Sequence, residues 1–222
     1  MTDGAPSRRV FQAEALAWLR ENPAEPGASV VTSLPDLSEL GELDLAGWRA
    51  WFIEAARAVI AWLPEEGTAI FYQTDIRVEG AWIDKGYLVM RAAEDGGAAL
   101  LWHKIVCRSA PGTSAFGRPR YAHMLAFSRS TAARAERARV DVMPDAGFMP
   151  WSKAMGVAAC RAACGYLLED GATRVVVDPF CGRGTVLAVA NAMGLDAIGV
   201  DLGGKRCRAA RNLTIADLEP AP

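Results

Sequence analysis

The sequence predicts an α/β fold built on a doubly wound, mostly parallel sheet with an antiparallel hairpin at one edge. Three observations carry this. The run Val175-Val176-Val177 is continuously apolar and β-branched, ends in Asp178 and passes into a glycine-rich turn, Pro179-Phe180-Cys181-Gly182-Arg183-Gly184-Thr185. A second short apolar run, Ile198-Gly199-Val200, ends in a second acid, Asp201. Between them lies an Ala/Val/Leu-rich stretch of helical length, so the unit reads strand–helix–strand. Unbroken apolar runs, rather than alternating ones, mark strands covered on both faces.

The other elements follow in chain order. Ala28–Asp36 reads as a strand that ends in a loop, and Asp36-Leu37-Ser38-Glu39 has capping-box spacing. Trp48–Trp62 is an amphipathic helix. Thr68–Thr74 is a strand. Asp84–Ala93 is a helix ended by Gly96-Gly97. Ala98–Cys107 and Tyr121–Phe127 are strands around a Gly/Pro-rich loop, hence a hairpin. Phe148–Leu168 leads to the C-terminal unit, and Ser152 has the chemistry of a helix N-cap there. Thr185 can start a helix over Val186–Met193 that Gly194 ends, and Lys205–Leu218 reads as the last helix.

Ligands of open α/β sheets sit beyond the carboxyl ends of the strands, so Asp178 and Asp201 face one crevice. Gly182 and Gly184 allow tight backbone and close ligand approach. No Gly-Lys-Ser/Thr follows, which argues against a phosphate-binding P-loop. A third glycine opening the helix, which a dinucleotide pyrophosphate needs, is absent.

Asp178-Pro179-Phe180-Cys181-Gly182-Arg183-Gly184-Thr185 resembles the "DPFxGxGT" motif of S-adenosylmethionine-dependent amino-methyltransferases, which methylate exocyclic amines of nucleic-acid bases. The resemblance implies a seven-stranded Rossmann-like methyltransferase fold. It also implies that Asp178, Phe180, Gly182, Gly184 and Thr185 wrap the methionine end of the cofactor and that Asp201 binds its ribose hydroxyls. A carboxylate can accept two hydrogen bonds from a vicinal diol. Ser33-Leu34-Pro35-Asp36 resembles the catalytic "TSPPY" segment, with Leu34 in place of a proline and Asp36 in place of an aromatic residue. By this resemblance Ser33, or the carbonyl beside it, holds the target amine and Pro35 fixes the loop. Asp36 is either a proton acceptor or a helix cap. Glu14 is either an acceptor for the adenine amine or an ordinary first-turn acid.

The order of these motifs is that of the circularly permuted members. One methyltransferase domain over 1–222 is expected. Its third strand, near Arg8–Phe11, and the catalytic half lie in 1–127, a connection in 128–146, and the cofactor half in 147–222. Thr74 and Asp75 end the next strand toward the same crevice. Tyr72, Trp82, Tyr87 and Trp102 are candidates for stacking on a base, and Trp151, Ser152 and Lys153 for the cofactor rim. His103 reads as a core histidine rather than a base.

Composition narrows the classes. The chain has 222 residues, about half of them hydrophobic, which suffices for a full core. No apolar run approaches the ~20 residues of a membrane helix, and the reading is a cytoplasmic protein without membrane partners. The five cysteines are odd in number and irregularly spaced, which argues against a disulfide framework. Cys160 and Cys164 read as core, and no metal is expected. Net charge is −2, yet Arg108, Arg118, Arg120, Arg129, Arg134, Arg137 and Arg139 crowd one region with few acids. Arg118 and Arg120, beside Phe116, suit phosphate contact and base stacking. The connection at Ser128–Ala146 is too short for a target-recognition domain. That favours structured RNA, tRNA-like, over DNA as partner, or recognition through a partner subunit. A small-molecule or protein-side-chain substrate and a non-catalytic partner role are the alternatives.

Overall fold

The computed structural model describes residues 5–114, 116–131 and 139–219. Arg134 and Arg137 of the arginine-rich stretch lie outside the described residues. The strands are β1 (Arg8–Gln12), β2 (Ala28–Thr32), β3 (Ala69–Gln73), β4 (Ile76–Val78), β5 (Ala81–Ile83), β6 (Ala99–Cys107), β7 (Tyr121–Ser128), β8 (Val142–Met143), β9 (Val175–Asp178) and β10 (Asp196–Asp201). The helices are α1 (Ala15–Glu21), α2 (Leu45–Trp62), α3 (Lys85–Asp95), α4 (Val157–Asp170), α5 (Thr185–Ala192) and α6 (Gly204–Asn212).

Among the described residues, eight strands form one sheet in the order β1-β10-β9-β2-β3-β7-β6-β8. The first five run parallel; β7 is antiparallel to both β3 and β6. The hairpin edge and the parallel body are as the sequence predicts. The strand count is not: Val142 and Met143, in what reads as a mere connection, pair with Ile105 and Val106 as an eighth strand. A further small sheet, β4–β5, is also new.

Alternate residues of the parallel strands go to opposite faces, as the two-residue period requires. Val31, Ile70 and Val176 pack with α4, α5 and α6. Val30, Phe71, Val175 and Val177 pack with α1, α2 and α3. Both faces are therefore covered, which is why these strands read as continuous apolar runs. In α2, the stripe Trp48, Phe52, Ala55, Ala56, Val59 and Ile60 is buried. This helix begins three residues before Trp48 because the Asp44 side chain accepts from the Gly47 N–H at 2.7 Å and caps it.

The N-terminal strand closes the C-terminal half. β1 pairs in parallel with β10, from Arg8 beside Ala197 to Gln12 beside Asp201. The Arg8 guanidinium donates to Asn191 Oδ1 at 2.7 Å and to the Ala210 and Leu213 carbonyls at 2.9 and 2.5 Å. The last helix is shorter than predicted. α6 stops at Asn212, and a separate 3₁₀ turn occupies Ala216–Leu218. Cys160 and Cys164 are buried in the core. No helix among the described residues is long and apolar enough to cross a membrane.

Candidate functional site

The carboxyl ends of β10, β9, β2 and β3 adjoin in the sheet, and Asp201, the Asp178–Thr185 turn, the Ser33–Asp36 loop and Thr74 leave from these ends, whereas Glu14 follows β1 and Arg118 and Arg120 lie on the β6–β7 loop. Asp178 ends β9 and is buried. Its Oδ1 accepts from Thr32 Oγ1 at 2.7 Å and from the Phe180 N–H at 3.1 Å. Burial pushes the Asp178 carboxyl up to about 7, with the neighbouring Asp201 adding to the rise and the two hydrogen bonds opposing it. The Thr32 bond ties the N-terminal half of the chain to the C-terminal half at the site itself.

The turn after Asp178 is shaped by three glycines. Gly184 has φ +90°, and a Cβ there would stand 2.8 Å from Ala210 Cα. Gly199, on β10, lets Cys181 and Leu187 close onto the strand. Gly182 has φ +54° but open space around it. Thr185 opens α5, and its buried Oγ1 lacks a hydrogen-bond partner among the described residues. Asp201 Oδ1 accepts from the Gly203 N–H at 2.6 Å and pairs with Arg206 Nε at 2.9 Å.

Asp178, Phe180, Gly182, Thr185, Asp201 and Glu14 line one cavity of about 530 Å³. Glu14 caps α1, its two oxygens accepting from the Leu16 and Ala17 N–H groups at 3.0 and 2.6 Å. Trp151, Ser152 and Lys153 line the cavity too. Ser152 caps no helix: α4 begins at Val157, after Gly156, whose backbone packs so closely on Ala146 that no side chain fits. Trp51 is a lining residue that sequence reading missed; its ring meets Phe180 edge-on at 5.9 Å.

The loop after β2 enters from the opposite end of the chain. Ser33, Leu34 and Pro35 line this cavity, and the Pro35 carbonyl accepts from Trp48 Nε1 at 3.2 Å. Asp36 opens a 3₁₀ turn, and its N–H is capped by Glu39 Oε2 at 3.0 Å. Asp36 and Glu39 thus form the capping box that their spacing predicts, and the Asp36 carboxylate also pairs with Lys85 Nζ at 2.5 Å. Lys85 is buried, lies over the Phe52 ring, and went unnoticed in the sequence.

Beyond the loop lies a second cavity of about 410 Å³, which shares Ser33, Leu34 and the Ser152–Ala154 segment with the first. Tyr72, Thr74, Asp75, Lys85, Arg108 and Arg118 line it. Arg120 does not; it is exposed. Burial drives the Tyr72 hydroxyl up to about 12, and that hydroxyl has no hydrogen-bond partner among the described residues. Burial alone would raise Asp75, but hydrogen bonds from His123, the Lys85 N–H and Tyr121 hold it below the usual carboxylate value. His123 in turn faces His103 at 3.0 Å. His103 is exposed rather than core. Of the stacking candidates, Tyr72 reaches this cavity. Trp82 and Tyr87 stand exposed, and Trp102 packs against Tyr166.

Residues 171–212 match the model of a DNA methylase family. No curated protein sequence matches the chain. Solved structures match along nearly its whole length. TTHA0409 of Thermus thermophilus, described as a DNA modification methylase, has 17% identity and a TM-score of 0.73 over 95% of this chain and 96% of its own. The same protein complexed with S-adenosyl-L-methionine has 19% identity and a TM-score of 0.68 over 91% of each chain. The cytosine-N4-specific PvuII DNA methyltransferase has 17% identity and a TM-score of 0.65 over 95% of this chain and 90% of its own. The resemblance read from Asp178–Thr185 is thus borne out, and the fold is that of these enzymes. The preference for RNA is not supported. It rested on the absence of a large recognition domain, and the PvuII chain is itself almost fully covered by this one.

Proposed function

We propose that the protein is an S-adenosylmethionine-dependent methyltransferase that transfers a methyl group to an exocyclic amine of a DNA base. One observation carries this reading. The loop after β2 and the acid-capped ends of β9 and β10, from opposite ends of the chain, frame two cavities that meet at Ser33 and Leu34.

The first cavity suits the cofactor. The unpartnered Thr185 Oγ1 and the bare Gly182 backbone offer polar and steric room for its methionine end, and Asp201 offers a carboxylate for the ribose hydroxyls. When bound, the cofactor supplies an electrophilic methyl group on sulfonium sulfur. The chain's own contribution is placement and electrostatics. Ser33 and the adjoining carbonyl hold the amine where the cavities meet. Pro35 and Trp48 fix the loop. Asp36, set by Lys85, would take the proton that the amine gives up on methylation, the sulfonium sulfur keeping the electron pair of its broken bond to the methyl carbon.

Asp36 stands where the resembled enzymes have an aromatic residue, which keeps a small-molecule substrate as a second reading. The deciding experiment supplies methyl-labelled cofactor to the protein with equal masses of genomic DNA, total RNA and metabolite extract. Label on adenine or cytosine amines of DNA is expected. Label confined to RNA or to metabolites overturns the DNA assignment, and no label in any fraction overturns the enzyme.

A further inference from the structure

Beside the second cavity the fold carries a feature that the catalytic reading does not use. β4 and β5 form a tight hairpin through Glu79 and Gly80, both at positive φ, +49° and +85°. Such a turn suits a two-residue hairpin connection. It sets Arg77 directly across from Trp82. The Arg77 Nε donates back to the Gly80 carbonyl at 3.1 Å, which steadies the guanidinium. Phe116, on the β6–β7 loop, also approaches Arg77. The Arg77 guanidinium carbon lies 6.0 Å from the Trp82 ring centre and 6.0 Å from that of Phe116.

These rings are not core. Phe116 is 97% exposed, and Trp82 and Tyr87 are each more than half exposed. A phenyl ring held almost wholly in water stabilises nothing by burial. Its place next to Arg77, which lines the second cavity together with Arg118, suits a ligand with flat apolar faces and negative charge. A nucleic-acid strand has both: bases stack on aromatic rings whatever their sequence, and arginines take the phosphates. An acidic peptide would satisfy the arginines but leave the rings exposed.

We infer that Arg77, Trp82 and Phe116 form a DNA-binding rim, on which bases flanking the target stack while Arg77 and Arg118 hold adjoining phosphates. The inference rests on the proposed DNA substrate. It assigns recognition to the β4–β5 hairpin and the β6–β7 loop together, in a chain whose segment between its two halves is short.

The test is fluorescence anisotropy with an end-labelled 24-nucleotide DNA of mixed sequence, single-stranded and as a duplex, alongside RNA of the same sequence. Phe116→Ala and Trp82→Ala are each expected to weaken DNA binding about tenfold. Arg77→Gln is expected to lower the slope of log affinity against log salt by about one. Leu168→Ala, an exposed apolar residue on α4, should change nothing, and cofactor affinity measured by calorimetry should stay at the wild-type value in all four variants. If the wild type binds DNA and the rim variants bind it equally well, the rim is overturned and the DNA substrate stands. If the wild type binds cofactor but neither DNA, or binds the RNA more tightly, the DNA substrate fails and the rim falls with it.

Discussion

Lys85 Nζ donates to Asp36 Oδ1 at 2.5 Å, reaching from a side chain 3% exposed to one 34% exposed. The pair sits in the wall of the second cavity, with the Lys85 backbone N–H held by Asp75. An ammonium this deep depends on its counter-charge, because desolvation penalises it unless it is paired. Asp36→Asn is therefore expected to cost about 1–2 kcal/mol of stability, less than for a fully buried pair because Asp36 is a third exposed. Turnover should fall with it. Adding Lys85→Met should restore stability, measured by urea unfolding, without restoring turnover. Full activity in Asp36→Asn would confine the pair to shaping the loop.

Two glycines of the same turn should respond differently to alanine. Gly184 is at φ +90° with Ala210 Cα where a Cβ would go. Gly184→Ala is expected to cost more than ~2 kcal/mol of stability, from backbone strain plus the clash. Gly182, at φ +54°, has nothing near its missing Cβ and faces the first cavity, where the cofactor is proposed to bind. Gly182→Ala should cost about 1 kcal/mol for the left-handed backbone alone. Its larger effect should be on cofactor affinity, through the methyl group added to the cavity wall. Thermal melting and calorimetry on both variants separate the two. Equal loss of stability would refute the distinction.

The Asp178 carboxyl should leave a signature in the pH dependence of folding. Its value in the folded protein, about 7, lies above the ordinary 3.8. The folded state therefore keeps a proton that the unfolded state has lost. The associated stability is fully present below about pH 4 and disappears as pH rises through about 7. Asp178→Asn cannot titrate and should be flatter over that window. Urea unfolding at several pH values between about 4 and 8 checks this. A wild-type curve as flat as that of the variant would contradict a protonated Asp178.

The C-terminal strand–turn–helix–strand unit was legible in the sequence because its determinants are local. Val175–Val177, the glycine turn and Asp201 each carry their meaning within a few residues, and the two strands pair side by side as expected. The position of Arg8–Phe11 was legible for another reason: the sheet needed a strand that the C-terminal half did not contain. What stayed hidden depends on contacts between distant segments. Lys85 follows an ordinary helix cap, Asp84, and only the return of the Ser33–Asp36 loop gives it a partner. Trp51 lies one turn along the same helix as the buried Trp48, and nothing in the sequence says that it meets Phe180. The Ser152 cap failed because Gly156, pressed against Ala146, sets the start of α4 instead. Val142 and Met143 were too few to show a strand pattern.

S-adenosylmethionine is expected to bind where Asp178 and Asp201 end neighbouring strands, against a loop from the other end of the chain. Calorimetric titration of the wild type and of Asp201→Ala with this cofactor is the decisive experiment. One site per chain is expected, with affinity at least about tenfold weaker in the variant, roughly 1.4 kcal/mol, for the loss of a charge-assisted contact to the ribose. Equal affinity in the two proteins, or no binding by the wild type, would rule this site out.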